Sequence, residues 1–358
     1  MRHYLYQWYI LVAIMMTAYM VIGGTRMGFG LWYLFSPHRE RDYLVNSLKP
    51  HVDGSSLWVV MSGIALFAFF PRTFRILFNG FYPLIAVIFI VLGFRIIALT
   101  LRPKLKSQLS LSLWDVCIAL GNTIPLFLLG LTAGYILKGV PLYTAGQYNV
   151  NVLGYLNHFT VVVGLLTVFA ATSLSYSAIA WNSDGIIRFF ARKWAFYSSL
   201  IMCVLIFDLS LWSLLLSPYI SSSLRSNQLL LIVPGITFFA SAMLPFLLWK
   251  RRFKLAYAAA VVVMAGLVVT FFLTIYPHLR VIFSRANPVR DFMPRGRYGG
   301  RQGRRAVYSA LVAERKRYFP TYIFLMLGTV LLQIKMFLLH HKRVHCPLPF
   351  DKEDEDLL

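Results

Sequence analysis

Residues 114–137 read WDVCIALGNTIPLFLLGLTAGYIL. Asp115 stands near the start, and the 22 residues that follow carry no charge. An amphipathic helix of a soluble protein keeps a polar face, and this stretch has none. A helix rises about 1.5 Å per residue, so about 20 residues cross the roughly 30 Å hydrocarbon core of a bilayer. The stretch therefore reads as a membrane-spanning helix. Working outward, comparable apolar runs occur at about 8–24, 57–70, 79–99, 155–181, 195–217, 229–249, 255–277 and 321–339. The expected fold is an all-α, polytopic integral membrane protein with about nine transmembrane helices. The weakest span is 57–70, which has only 14 residues between Gly54 and Pro71. The first run has Arg2 as its one upstream cation and no small-residue cleavage pattern after it, so it is expected to be retained as a helix.

Composition agrees. Of 358 residues, 58% are apolar and 13% are charged, with a mean hydropathy of +0.66. Soluble domains carry about 25% charged residues, and a soluble globule could not bury this much apolar surface. Disorder is excluded on the same ground. The net charge of +22 would suggest nucleic acid in a soluble chain. Here the cations lie between apolar runs, so anionic membrane lipids are the expected partner, and no nucleic acid is. Cys117, Cys203 and Cys346 form no metal or covalent-haem spacing.

Loop charge sets the orientation. With the N-terminus outside, the inside loops 26–56, 100–113, 182–194 and 250–254 carry 4, 3, 3 and 4 Lys or Arg. The outside segments before 321 carry one or two each, with one exception. The exception is 278–320, with 11 basic residues against Asp291 and Glu314. The chain thus divides into an eight-helix bundle (1–277), an arginine-rich loop (278–320), a last transmembrane helix (321–339) and an acidic tail (340–358). Within the loop, Gly296-Arg297-Tyr298-Gly299-Gly300-Arg301 reads as a lipid or partner surface. No internal repeat is evident.

Ionisable groups at membrane depth are costly, about 2.5–3.5 kcal/mol at a helix centre on insertion scales, and so are functional candidates. His51 and Asp53, in Pro50-His51-Val52-Asp53-Gly54, sit at a helix entrance, where they suit a proton relay or, for Asp53, an N-cap. Arg95 and Arg102 lie seven residues apart, nearly on one face. Arg102 is expected to snorkel to headgroups, and the deeper Arg95 to pair with an acid or an anionic cofactor edge. Trp114-Asp115 opens a span, where a carboxylate suits the helix dipole. Asp208 is central in its run and unpaired within its own helix. His51, His158 and His278 lie at span edges, and His340, His341 and His345 follow the last span, so no axial haem ligation and no bound metal is expected of this chain.

These residues fall into a family pattern. Met27-Gly28-Phe29-Gly30, Asn46-Ser47-Leu48-Lys49-Pro50-His51-Val52-Asp53-Gly54 with Trp58, Gly80-Phe81-Tyr82, Phe94-Arg95 with Arg102, Trp114-Asp115, Gly139-Val140-Pro141 and Leu156-Asn157 occur in order over about 20–200. In this the chain resembles subunit II of the cytochrome bd quinol oxidases. The resemblance implies a heterodimer with subunit I in the bacterial inner membrane. Subunit I would carry the b-type and d-type haems and the quinol site, and the complex would oxidise membrane quinol and reduce oxygen to water. This chain would ligate no haem, support subunit I and contribute part of a proton route. Asp53 and His51 would belong to that route. Arg95, Arg102, Trp114, Asp115 and Trp58 would be structural residues or contacts to quinone or partner.

The chain also departs from the family. The first span there usually ends T-D-G-F-D-M-G, and its two aspartates fall here on Gly23 and Arg26. The arginine density of 278–320 is a second departure. Two other readings stand beside the oxidase subunit. One is a secondary transporter, for which Asn122 with Pro125 would be the broken helix and Asp208 the central acid. The other is an assembly scaffold without a proton role.

Overall fold

The computed structural model describes residues 2–36, 41–42, 44–45, 54–104, 107–138, 143–144, 147–148, 153–215 and 229–285. Apart from a two-residue antiparallel pair, Tyr143–Thr144 with Gln147–Tyr148, the regular structure among them is helical. The helices are α1 (Arg2–Met27), α2 (Gly30–Tyr33), α3 (Gly54–Phe69), α4 (Pro71–Gly80), α5 (Tyr82–Leu101), α6 (Gln108–Lys138), α7 (His158–Asn182), α8 (Gly185–Leu215), α9 (Leu229–Trp249) and α10 (Phe253–Arg285).

Seven described segments are long and apolar enough to cross a bilayer: 7–33, 82–101, 110–138, 158–182, 185–212, 232–249 and 253–275. The run at 57–70 forms the shorter apolar helix α3. Its 16 residues reach about 24 Å, short of the hydrocarbon core. The run at 321–339, the tail and most of 278–320 lie outside the described residues. Helix α10 continues past the expected boundary at 277 as far as Arg285. Helix α8 starts ten residues before the apolar run that marks it, because the basic and aromatic segment 185–194 is its first part.

Helix α7 is the hub. It packs against α1, α6, α8 and α10. Its buried positions include Ala170, Ala171, Thr172, Ser173, Ser175, Ser177, Ala178 and Ala180. Small side chains let helices approach closely where lipid supplies no hydrophobic push between them. The entry to α7 is pinned by Thr160 Oγ1, which accepts the Asn157 backbone N–H at 2.9 Å. A second core joins α1 to α3 through Trp8, Met15, Trp58 and Phe69. Between α3 and the next span lies α4, a short amphipathic helix with Pro71 in its first turn.

Candidate functional site

Helix α2, residues 41–42, the C-terminal end of α5 and a position about two turns into α6 meet around one carboxylate. Asp115 is buried on α6, 1% exposed. Its Oδ1 accepts from the Tyr33 hydroxyl at 2.7 Å and from Arg102 Nε at 2.5 Å. Its Oδ2 accepts from Arg41 Nη1 at 3.2 Å. Arg102 Nη1 also donates to Asp42 Oδ1 at 2.7 Å. Arg41 donates besides to the carbonyls of Ser36 and Leu34, at 2.8 and 2.5 Å. A carboxylate deprived of water is stable only when paired and hydrogen-bonded, and Asp115 is both.

One turn of α6 and more beyond Asp115, Asn122 Oδ1 accepts from Arg95 Nε at 2.8 Å, and Asn122 Nδ2 donates to the Ile118 carbonyl at 2.7 Å. Arg95 and Asn122 are both buried. Gly121 makes the room, because a Cβ there would lie 2.7 Å from Arg95 Cβ.

Two expectations change. Arg102 does not snorkel: it is buried and ion-paired to Asp115 and Asp42. Burial by itself would lower its pKa, but the hydrogen bonds to Asp115 and Asp42 outweigh that and raise it, so the guanidinium stays charged at any physiological pH. Asp115 is not at a helix start either, since α6 begins at Gln108; side-chain partners, rather than the dipole, meet its charge. Arg95 is held by Asn122, the amide that the transporter reading would make part of a broken helix. Helix α6 runs unbroken through Asn122 and Pro125. Trp114 packs partly buried against the main core, and Trp58 is buried against α1. His51 and Asp53 lie outside the described residues.

Sequence reasoning missed Tyr33, Arg41 and Asp42. Only Asp115 signalled them, as a carboxylate facing an apolar run with no partner on its own helix. Asp208 is paired from the neighbouring helix: His158 Nε2 lies 3.4 Å from its Oδ2. The Trp212 ring lies 5.2 Å from the imidazole. Both side chains are solvent-accessible, toward the opposite ends of α7 and α8 from the 183–185 turn. Among the described residues no three His, Cys, Asp or Glu side chains converge as a metal site would require.

A bundle of apolar helices with a buried arginine–aspartate network defines a polytopic membrane protein. Residues 4–339 match the family described as cytochrome bd terminal oxidase subunit II, and the chain belongs to that family. It is 31% identical over 167 residues to the Escherichia coli K12 cytochrome bd-I ubiquinol oxidase subunit 2, covering 45% of this chain and 44% of that one. It is 27% identical over 191 residues to the Bacillus subtilis cytochrome bd ubiquinol oxidase subunit 2, covering 52% and 56%. The chain thus spans about half the length of the curated relatives it matches. Its fold is shared with a chain of the bd oxidase from Geobacillus thermodenitrificans, at a TM-score of 0.67 and 14% identity, over 94% of this chain and 99% of that one.

Proposed function

We propose that this chain is the supporting subunit of a quinol-oxidising oxygen reductase of the bacterial inner membrane, paired with a haem-carrying subunit I. Membership of the subunit II family carries the reading. In it, the b-type and d-type haems and the quinol site belong to the partner, and this chain ligates no haem. The closed polar core agrees with a rigid support. Arg95 binds Asn122 and Arg102 binds Asp115, and these two pairs lock the C-terminal part of α5 against α6. A transporter reading would want a broken helix at Asn122 and Pro125, and α6 is continuous there.

The same reading gives His51 and Asp53 the cytoplasmic mouth of a proton route. Both precede α3 on the side that the loop charges make cytoplasmic. A histidine titrates near neutrality, and a carboxylate can be tuned upward by burial, so the pair suits proton uptake for oxygen reduction. With Gly23 and Arg26 where the family usually carries acids, Asp53 is the main carboxylate left for this work.

The test is a reduced-minus-oxidised spectrum of the complex purified through a tag on this chain. Bands of b-type and d-type haem that co-purify with the chain support the assignment. A haem-free preparation that is monodisperse and fully retained in membranes would sink it.

A further inference from the structure

We propose that the α7–α8 and α9–α10 turns together form one docking surface for the phosphate headgroups of anionic phospholipid in the cytoplasmic leaflet. The sequence shows two separate basic stretches, and the fold fuses them. Arg192, on α8, donates to the carbonyls of Leu248 and Trp249 at the end of α9, each at 3.0 Å. Arg188, one turn earlier, lies over the Phe253 ring at the start of α10, 5.5 Å from its centroid. Two of the cations thus tie three helix ends into one surface.

The remaining cations face outward. Lys193, Lys250, Arg251, Arg252 and Lys254 are all exposed. None of them has a carboxylate within ion-pair distance among the described residues. The acid of the surface, Asp184, is taken by Arg188. The surface therefore presents five positive charges that no described carboxylate compensates, at the rim of the bundle.

Three observations point to lipid as the occupant. The first is depth: the charges sit at the ends of three candidate spans, 185–212, 232–249 and 253–275. The second is the aromatic surround. Trp249 is 69% exposed and Phe189 is 60% exposed beside the cations. Lys250 Nζ lies 4.4 Å from the Phe246 centroid. Amphipathic aromatics with basic neighbours are what a helix end presents to a headgroup layer. The third is backbone geometry. Arg251 occupies the left-handed region at φ 58°, where glycine would sit without strain. The turn still closes, with Arg252 N–H donating to the Leu247 carbonyl at 3.0 Å. A cation placed at a strained C-cap position, next to two more, indicates that its charge is used.

The test uses the full-length chain with its co-purifying subunits, delipidated in neutral detergent. It is titrated with phosphatidylglycerol or phosphatidylcholine, and bound lipid is read by native mass spectrometry. Phosphatidylglycerol should bind in preference, and binding should weaken as salt rises. A variant carrying Arg251→Gln, Arg252→Gln and Lys254→Gln should bind phosphatidylglycerol on the order of a hundredfold more weakly, from about 1 kcal/mol per basic residue near an anionic surface. Arg251→Lys with Arg252→Lys should keep the binding. The salt series on the unmodified protein decides the matter even if the glutamine variant fails to assemble. Equal binding of both lipids, salt-insensitive binding, or an unaffected glutamine variant would overturn the proposal. So would displacement by equimolar inorganic phosphate, which would mark a free-phosphate site. Binding that appears only after residues 351–358 are removed would make the acidic tail the occupant, and it too would overturn the proposal.

Discussion

At the scale of single residues, the buried Asp115 balances two guanidinium groups and accepts a phenol hydroxyl. Removing its charge leaves the buried Arg102 with only the exposed Asp42 opposite it and the half-buried Arg41 with no carboxylate but the carbonyls of Ser36 and Leu34. Breaking a buried pair costs about 3–5 kcal/mol. Asp115→Asn should therefore lower the melting temperature and membrane level of the chain sharply. Arg102→Gln combined with Asp115→Asn should cost less than the two single changes added together. Additive losses, within about 0.5 kcal/mol in a double-mutant cycle of thermal or denaturant melts, would mean the two side chains are not coupled. The second residue-scale prediction concerns the proposed proton route. Asp53→Asn keeps the shape and removes the charge, so quinol oxidase turnover should fall while the haem spectrum stays normal. Loss of haem or of assembly would favour a capping role for Asp53, and full activity would place proton entry in the partner.

At the scale of elements, the decisive approach is that of the end of α1 to the middle of α7. A Cβ at Gly28 would fall 1.9 Å from the Ala171 carbonyl oxygen, which is backbone and cannot rotate aside. Overpacking of this kind costs typically about 1–3 kcal/mol. Gly28→Ala should therefore depress the melting temperature and shift Tyr33 away from Asp115. Unchanged stability would show that α1 can slide along α7 without loss. The short helix α3 belongs to the same scale. It spans too little of a bilayer to hold itself there, and Trp8 and Trp58 fasten it to α1 instead.

At the scale of the whole molecule, the outer helices bury little of themselves. The spanning windows on α5, α9 and α10 are 17%, 22% and 22% buried, against 78% for α7. A hub this enclosed, ringed by faces this open, needs lipid or another subunit around it. Under the oxidase reading, deletion of the haem-carrying subunit should markedly lower the amount of this chain in membranes, as measured by immunoblot of washed membranes. Normal amounts of a monodisperse chain without that partner would argue against the heterodimer.

The membrane class, seven of the spans and the weakness of the second were legible in the residues alone, because apolar run length against bilayer thickness is a local property. Gly54 and Pro71 bounding one run, and uncharged stretches such as 116–137, needed no tertiary information. Arg95 and Asp115 stood out for the same reason, as charges inside or at the edge of an apolar run, whereas Arg102 read as a loop cation. What each of them touches was not. Tyr33 and Asp115 are 82 positions apart, and Arg102 and Asp42 are 60 apart. Only the packing of α2 and residues 41–42 against α5 and α6 brings these groups within hydrogen-bonding distance, which turned a predicted snorkelling arginine into a buried one. The basic turns at 188–193 and 250–254 became one surface for the same reason. Hydropathy is read along the chain, whereas the pairing of charges depends on which helix ends become neighbours, and that is set by the small side chains of α7 and the glycines packed against it.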